Sequence, residues 1–445
     1  MAAELPPGSY ELTATLKGFD SLLRQGITLT VGQDALVNLT MQVGSVQTQV
    51  TVTGEAPLVN TTSAGVSGVV EEKRITELPL NGRDFAQLAL SQPGALNVRT
   101  AAAATASKGY GTRVSLSGSR PMDTGWTLDG TNINSVGNFA TPGSAAGVVL
   151  GVDAIREFRV VTGGGYSAEY GGYSGGVVQM VTKSGTNEFH GTAFGLHRND
   201  NFDANAWENK KGNKKKSEFR RNQFGGSIGG PIRRDKIFFF GAYEGLRQAR
   251  SGEIRVERVP DGETRRGNAV ATLAQCNGVG GSFNAGTGRC AVTIAPSVRP
   301  YVDIWPAGDG ELLFGQNGAP TGVQNRYTPV NPVTDEDYWV TRGDYQINDN
   351  QKLFSRFTYD NGDDASPGPL GVYTSNNASR QRFATLQYEN ILSPTLLWSS
   401  TFSFNRNGLS PTIDLNIDYP KNLWFLTHPY PPAMSYTGVD TFSGA

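Results

Sequence analysis

"GGVVQMVTKSGTNEFHGTAFG", Gly175 to Gly195, decides how the chain is to be divided. It reads as one β-prone run, a polar break at Ser184-Gly185-Thr186-Asn187, and a second run that alternates small or polar with aromatic residues. Such a pattern is either one hairpin inside one domain or a seam between two architectures. The flanking sequence separates these readings.

Downstream, "NEFHGTAFGLHRND" leads through a long polar loop ending near Glu218 into "FRRNQFGGSIGGPI", which turns tightly at Arg233 to Lys236 into "IFFFGAYEGLRQ". A long excursion, Ala249 to Thr334, precedes "DEDYWVTRGDYQI", which turns through Asn348-Asp349-Asn350 into "QKLFSRFTYD". A loop to Ser379 leads to "RQRFATLQYENI", and a turn at Leu392-Ser393-Pro394 leads to "TLLWSSTFSFNRN". Seven strands of about ten residues are predicted between Phe189 and Asn407, the length a tilted membrane-crossing strand requires. Short turns fall at one end and long loops at the other, as in an outer-membrane barrel.

The last strand carries Leu396, Trp398, Phe402 and Phe404 on one face and Leu397, Ser399, Thr401, Ser403 and Asn405 on the other. Lipid on one side and a wet lumen on the other require that alternation. Tyr338, Trp339, Tyr359 and Tyr388 are placed to form interfacial girdles. A soluble β-sandwich also alternates, but its connections would not sort by length in this way.

Upstream, "EEKRITELPLNGRDFAQLALSQPGAL" predicts a short amphipathic helix over about Arg83 to Leu90, ended by Pro93-Gly94. The short segments "RVSLSGSR" and "GWTLDGTNIN" follow, and then "DAIREFRVVTGGGYSAEYGGYSGGVVQMVTKSG". Together they predict a compact α+β unit over 66–185, within ordinary domain size. Before it, residues 46–65 read as a β-prone linker, and residues 1–45 as alternating strands in which Tyr10, Leu12, Ala14 and Leu16 share a face.

Composition agrees with a mainly β chain. The 445 residues include 56 Gly, 10% aromatic and only 18% charged residues, too few of the helix-favouring charged types for a helical protein. A formal net charge of -1 provides no global field for nucleic acid, which is not an expected partner. The basic run Lys210, Lys211, Lys214, Lys215 and Lys216 reads as a solvated loop or as a contact for an anionic surface such as lipopolysaccharide. Cys276 and Cys290 flank a Gly-rich turn; they are either a disulfide closing a short loop or two free thiols.

These blocks resemble the TonB-dependent receptors of the Oar-like group, which have a carboxypeptidase regulatory-like domain, a plug and an outer-membrane barrel. "PPGSYELTATLKGF" resembles the end of the regulatory-like sandwich. "ELPLNGRDFAQLALSQPGA", "SGSRPMDTGWTLDGTNIN" and "AEYGGYSGGVVQMVTKSGTN" resemble the plug, and "FRRNQFGGSIGGPIRRDKIFFFGAYEG" and "QKLFSRFTYD" the barrel. The resemblance makes Ser184 to Asn187 the seam, with the first part of the barrel over 186–445. A family barrel has roughly 22 strands, so the expectation is a partial antiparallel transmembrane barrel, truncated at both ends.

The resemblance further implies residence in the cell outer membrane, contact with its lipid, uptake of an unidentified large or scarce solute, and engagement of the periplasmic domain of TonB. TonB would pair by strand addition with an extended segment ahead of the plug. Val50, Thr51, Val52 and Thr53 are the candidate contact; the other reading makes them linker or the end of the sandwich. Asp129-Gly130 and Gly163-Gly164-Gly165 are candidate plug loops near the solute, or simple turns. "DNGDD" at Asp360 to Asp364 reads as a solvated loop, lacking the full spacing of a calcium loop.

No catalytic group, metal or cofactor is expected. His190, His197 and His428 have no metal-ligand spacing, and there is neither a GxSxG elbow nor a phosphate-binding GxxxxGK[ST] loop. The alternative function is surface adhesion or signalling through the long loops, with partner binding independent of energy input.

Overall fold

The computed structural model describes residues 8–31, 37–44, 49–53, 66–78, 80–98, 112–135, 142–144, 150–162, 172–205, 207–211, 215–393 and 395–418. A seven-stranded antiparallel sheet dominates: His190–Asn199, Glu218–Arg233, Ile237–Ser251, Val333–Asn348, Gln351–Pro367, Tyr373–Ser393 and Leu396–Leu415, each paired with its sequence neighbour in the sheet. These are the seven strands predicted, but six of them are longer, at 15 to 21 residues.

The extra length lies toward the long loops. There the outward face turns from apolar to charged: Arg247 pairs with Asp337 at 2.8 Å and Arg380 with Asp363 at 2.8 Å. Those strand ends project past the apolar band, so the length needed to cross lipid sets only a lower bound. The expected loop from Asp360 to Ser379 is therefore mostly strand, with only Pro369–Gly371 forming a 3-10 turn. "DNGDD" has turn chemistry, yet its backbone pairs on both sides, Asn361 with Asp337 and with Arg380.

Alternation sorts the sheet as expected. Phe402, at 67% exposure, and Trp398, at 52%, point outward with Trp339, Phe357 and Leu386. Tyr243, Trp339 and Tyr359 stand opposite one another in register and form an aromatic row below the charged ends, with Tyr243 and Trp339 ring centroids 4.4 Å apart. Tyr338 does not belong to a girdle. One residue from Trp339, it points to the opposite face and is buried with Leu150, Ala154, Phe240, Leu246 and Val340.

Against that inner face sits a five-stranded unit in the spatial order Val66–Glu71, Ile155–Thr162, Gly176–Thr182, Thr124–Leu128, Thr131–Asn132. Gly176–Thr182 runs parallel to Thr124–Leu128 and antiparallel to Ile155–Thr162. Burial on both faces explains the near-continuous apolar run from Val177 to Val181. A helix at Glu72–Glu77 was not expected, and the helix expected at 83–90 is reduced to Ala86–Ala89 behind a 3-10 turn at Asn81–Arg83. The core of this unit, including Phe85, Leu116, Trp126 and Phe158, takes in Phe383 from the wall.

The two runs of the opening stretch fall in different sheets. Gly176–Thr182 is central to the five-stranded unit, and His190–Asn199 is the first wall strand. At Gly185 a β-carbon would meet the Phe239 carbonyl at 2.4 Å and that of Gly230 at 2.6 Å, so the connector passes too close to the wall for a side chain. Asn187 then anchors it to the Arg233–Lys236 turn, donating to the Asp235 carboxylate at 2.6 Å and accepting from its amide at 2.9 Å.

Two further units flank the wall. Residues 253–330 build small sheets at the long-loop end, where Val259 and Trp305 pack with Leu370 and Val372. At the other terminus Gly8–Ala14 and Ser21–Leu29 form an antiparallel pair. Residues 37–42, expected to continue as strand, are irregular, and only Val43 bridges to Phe19.

Candidate functional site at the inner wall

The chemistry that distinguishes this molecule lies where the five-stranded unit meets the wall. The turn Asp129-Gly130 joins Thr124–Leu128 to Thr131–Asn132 with φ of 46° at Asp129 and 75° at Gly130, the left-handed pair that a two-residue hairpin turn requires. Its sharpness aims Asp129 at the wall. The carboxylate accepts from the amide and hydroxyl of Thr182 at 2.9 and 2.8 Å, meets Arg356 Nε at 2.9 Å, and lies 3.6 Å from Arg342. Arg356 is fully buried, donating also to the Leu128 carbonyl at 3.0 Å and to Thr385 at 2.6 Å. Arg342 donates to the Thr182 carbonyl at 3.0 Å and chelates Asp344 within its own strand.

A second cluster holds the Asn81–Arg83 turn. Arg83 reaches Asp153 at 3.1 Å and Glu244 of the wall at 3.2 Å, and its guanidinium lies 3.9 Å from the centre of the Phe194 ring. Glu244 is buried and accepts from the Gly151 amide at 2.9 Å and from Gln223 at 2.6 Å; Gln223 in turn donates to the Gly82 carbonyl. Weaker neutral contacts line the last strand: Ser403 to Thr131, Asn405 to the Asn132 carbonyl and Asn407 to that of Asn134.

The wall thus grips the inner unit through buried, compensated charge, while its rim contacts are neutral amides and hydroxyls. Removing either partner of a buried pair leaves the other charged and dry. Replacing both by apolar groups does not.

Asp129-Gly130 is therefore a turn, and Asp129 also contacts the inner face of the wall, whereas a β-carbon at Gly130 would meet nothing. Gly163, Gly164 and Gly165 lie outside the described residues. The backbone of Gln49–Thr53 is an edge strand running parallel to Ser21–Leu29, with Val50 opposite Leu22, Thr51 opposite Leu23, Val52 opposite Arg24 and Thr53 opposite Gln25. That three-stranded sheet contacts the five-stranded unit at Val31, whose amide donates to Glu157 at 2.6 Å and whose carbonyl accepts from Arg159 at 3.0 Å. Burial pushes the Glu157 carboxyl above the usual range, with the Val31 amide opposing. Cys276 and Cys290 are joined as a disulfide.

Sequence reading missed Arg342, Arg356, Gln223, Glu244 and Arg83. A signal was available for the wall residues, because charge on the inward face of a membrane-crossing strand marks functional contact by default. Arg83 gave none: its role depends on a wall strand 161 residues away.

Residues 181–444 match the family of the outer membrane beta barrel domain. The TonB-dependent transporter Oar of Myxococcus xanthus is 29% identical over 254 residues, covering 54% of this chain and 22% of Oar. Similar solved structures include the outer membrane transporter YddB from Escherichia coli, with 11% identity, a TM-score of 0.46 and coverage of 79% of this chain and 40% of that one. The siderophore receptor PiuA from Acinetobacter baumannii has 11% identity and a TM-score of 0.40, over 78% of this chain and 46% of that one.

Proposed function

The chain belongs to the outer-membrane β-barrel domain family, and from that premise we propose that it acts as a TonB-dependent receptor importing a solute with energy transmitted from the inner membrane. Residues 66–185 are the plug, 186–445 the first part of the barrel, 46–65 the TonB-contacting linker and 1–45 the end of a regulatory-like sandwich. The short turns face the periplasm and the long loops the exterior. The outward aromatic row contacts lipid.

One observation supports this above the others: the five-stranded unit rests on the inner face of the wall through Asp129–Arg356 and Arg83–Glu244. In a closed barrel those contacts would hold the unit across the lumen, and they would have to be broken or carried along for anything to pass. Val50 to Thr53 precede that unit in an edge strand. A partner strand adding there would form main-chain hydrogen bonds and transmit its pull along the chain.

The experiment is cross-linking from a cysteine at position 52 in the full-length protein to the purified periplasmic domain of TonB. It is paired with depletion of solutes from the medium by energised cells. Cross-linking that a free peptide of residues 46–65 competes away, and depletion that vanishes on deletion of those residues, are expected. Depletion that continues without TonB or the linker overturns the reading.

A further inference from the structure

At the long-loop end of the inner face, strand register gathers arginines. Arg198 stands directly opposite Arg221, Arg221 opposite Gln248, and Phe219 opposite Arg250. The guanidinium carbons of Arg198, Arg221 and Arg250 lie 4.8, 5.5 and 5.4 Å from the centre of the Phe219 ring. Like charges directly opposite on neighbouring strands destabilise a sheet, and Arg198 and Arg250 crowd Arg221 around the same ring.

Local carboxylates answer this unevenly. Arg198 is paired with Asp203 at 2.9 Å, and Asp200 is committed to Lys216 at 3.6 Å and to the Phe219 amide at 3.1 Å. Arg221 donates two bonds, at 2.8 and 2.5 Å, to the neutral amide oxygen of Gln248. Asp364, whose carboxylate accepts from Thr334, is the acid that interacts electrostatically with Arg250. Among the described residues neither Arg221 nor Arg250 forms an ion pair. Two cations are held side by side around one ring, fixed by Gln248 and by register.

We infer that Arg221 and Arg250, with Arg198 at the rim, form a site for an oxyanion, a carboxylate, sulfate or phosphate group carried by the solute that enters from the long-loop end. Guanidinium groups match such anions in shape and charge. The bound anion offsets the repulsion the register creates. The inference rests on the lumen being the route of the solute, and it narrows that solute to an anionic one.

The test is calorimetric titration of the full-length protein, in detergent free of lipopolysaccharide, with inorganic phosphate and with sulfate at low salt. Saturable binding is expected, weakened about thirtyfold or more in the Arg221→Gln, Arg250→Gln double variant. The melting temperature of that variant without anion should match or exceed that of the parent, because repulsion is relieved. Equal binding by parent and variant overturns the site, as does a response to lipopolysaccharide micelles alone, which would assign the arginines to a lipid headgroup. Binding at the arginines without energised uptake leaves the site standing and overturns the transport reading.

Discussion

Arg356 of the wall and Asp129 of the five-stranded unit meet at 2.9 Å, although 227 positions apart in the sequence, and the arginine has no exposed surface. The pair couples a hairpin turn to a membrane-embedded sheet. Asp129→Ala strands the buried Arg356, while Arg342 keeps Asp344, and should cost about 3–5 kcal/mol, read as a lowered urea midpoint of the full-length protein in detergent. Changing Asp129 to asparagine, which tolerates the left-handed turn and still accepts from Thr182, together with Arg356 to methionine should recover most of that loss. A double variant no more stable than the single would mean that the pair is not the source of the penalty.

The shared core makes a second, independent demand. Phe383 faces inward among Trp126, Leu128 and Met180, whereas Phe402 faces outward. Phe383→Ala should cost about 3–5 kcal/mol. Phe402→Ala, with one side against lipid and no cavity to leave, should cost well under half as much. Urea melts of the two variants in the same detergent check the assignment of faces, and equal losses would contradict it.

Acid should attack the module at residues 253–330 in a defined way. Burial disfavours the ionised form of Asp261, but hydrogen bonds from Arg289, at 2.5 Å, and from Thr264 outweigh it and hold the carboxyl below the usual carboxylate range. Its stabilisation is therefore complete above the unfolded value, about 3.9, and is lost as pH falls through the folded one. Proteolysis between Asp261 and Arg289 should rise below about pH 4 in the parent. Asp261→Asn should be cut at neutral pH as readily as the parent is in acid.

Cys276–Cys290 closes a separation of 14 residues in the same module. Replacing both with serine should remove about 3 kcal/mol of local stability. Limited proteolysis would detect this around Leu273–Gly278 while the unfolding of the seven-stranded sheet stays unchanged. A drop in the main transition would instead show that the module and the wall unfold as one.

Much of this architecture was legible because alternation and connection length are properties of the chain itself. "TLLWSSTFSFNRN" sorts its faces without any knowledge of neighbours, and the Arg233–Lys236 turn marks its own position. What escaped depends on partners distant in sequence. "DNGDD" has the chemistry of a loop until Thr334–Tyr338 and Asn377–Gln381 supply ladders on both sides. Tyr338 and Trp339 look alike as girdle residues, and only the inner unit behind the wall distinguishes them. Asp129-Gly130 reads as a plug loop near the solute or as a simple turn, and it is a turn; that the turn aims a carboxylate at Arg356 required both halves of the molecule.

The outward aromatic positions carry one more consequence, for optics rather than stability. Trp339 lies toward the long-loop end of the outer face and Trp398, beside Tyr388, toward the short-turn end, while Trp126 is sealed in the inner unit. Brominated acyl chains would dim the first two according to their depth and leave the third bright, whereas an aqueous quencher would reach Trp126 only after the inner unit had shifted. With Trp207, Trp305 and Trp424 replaced by phenylalanine, the chain would contain its own depth gauge and its own reporter of displacement of the inner unit, readable without an attached dye.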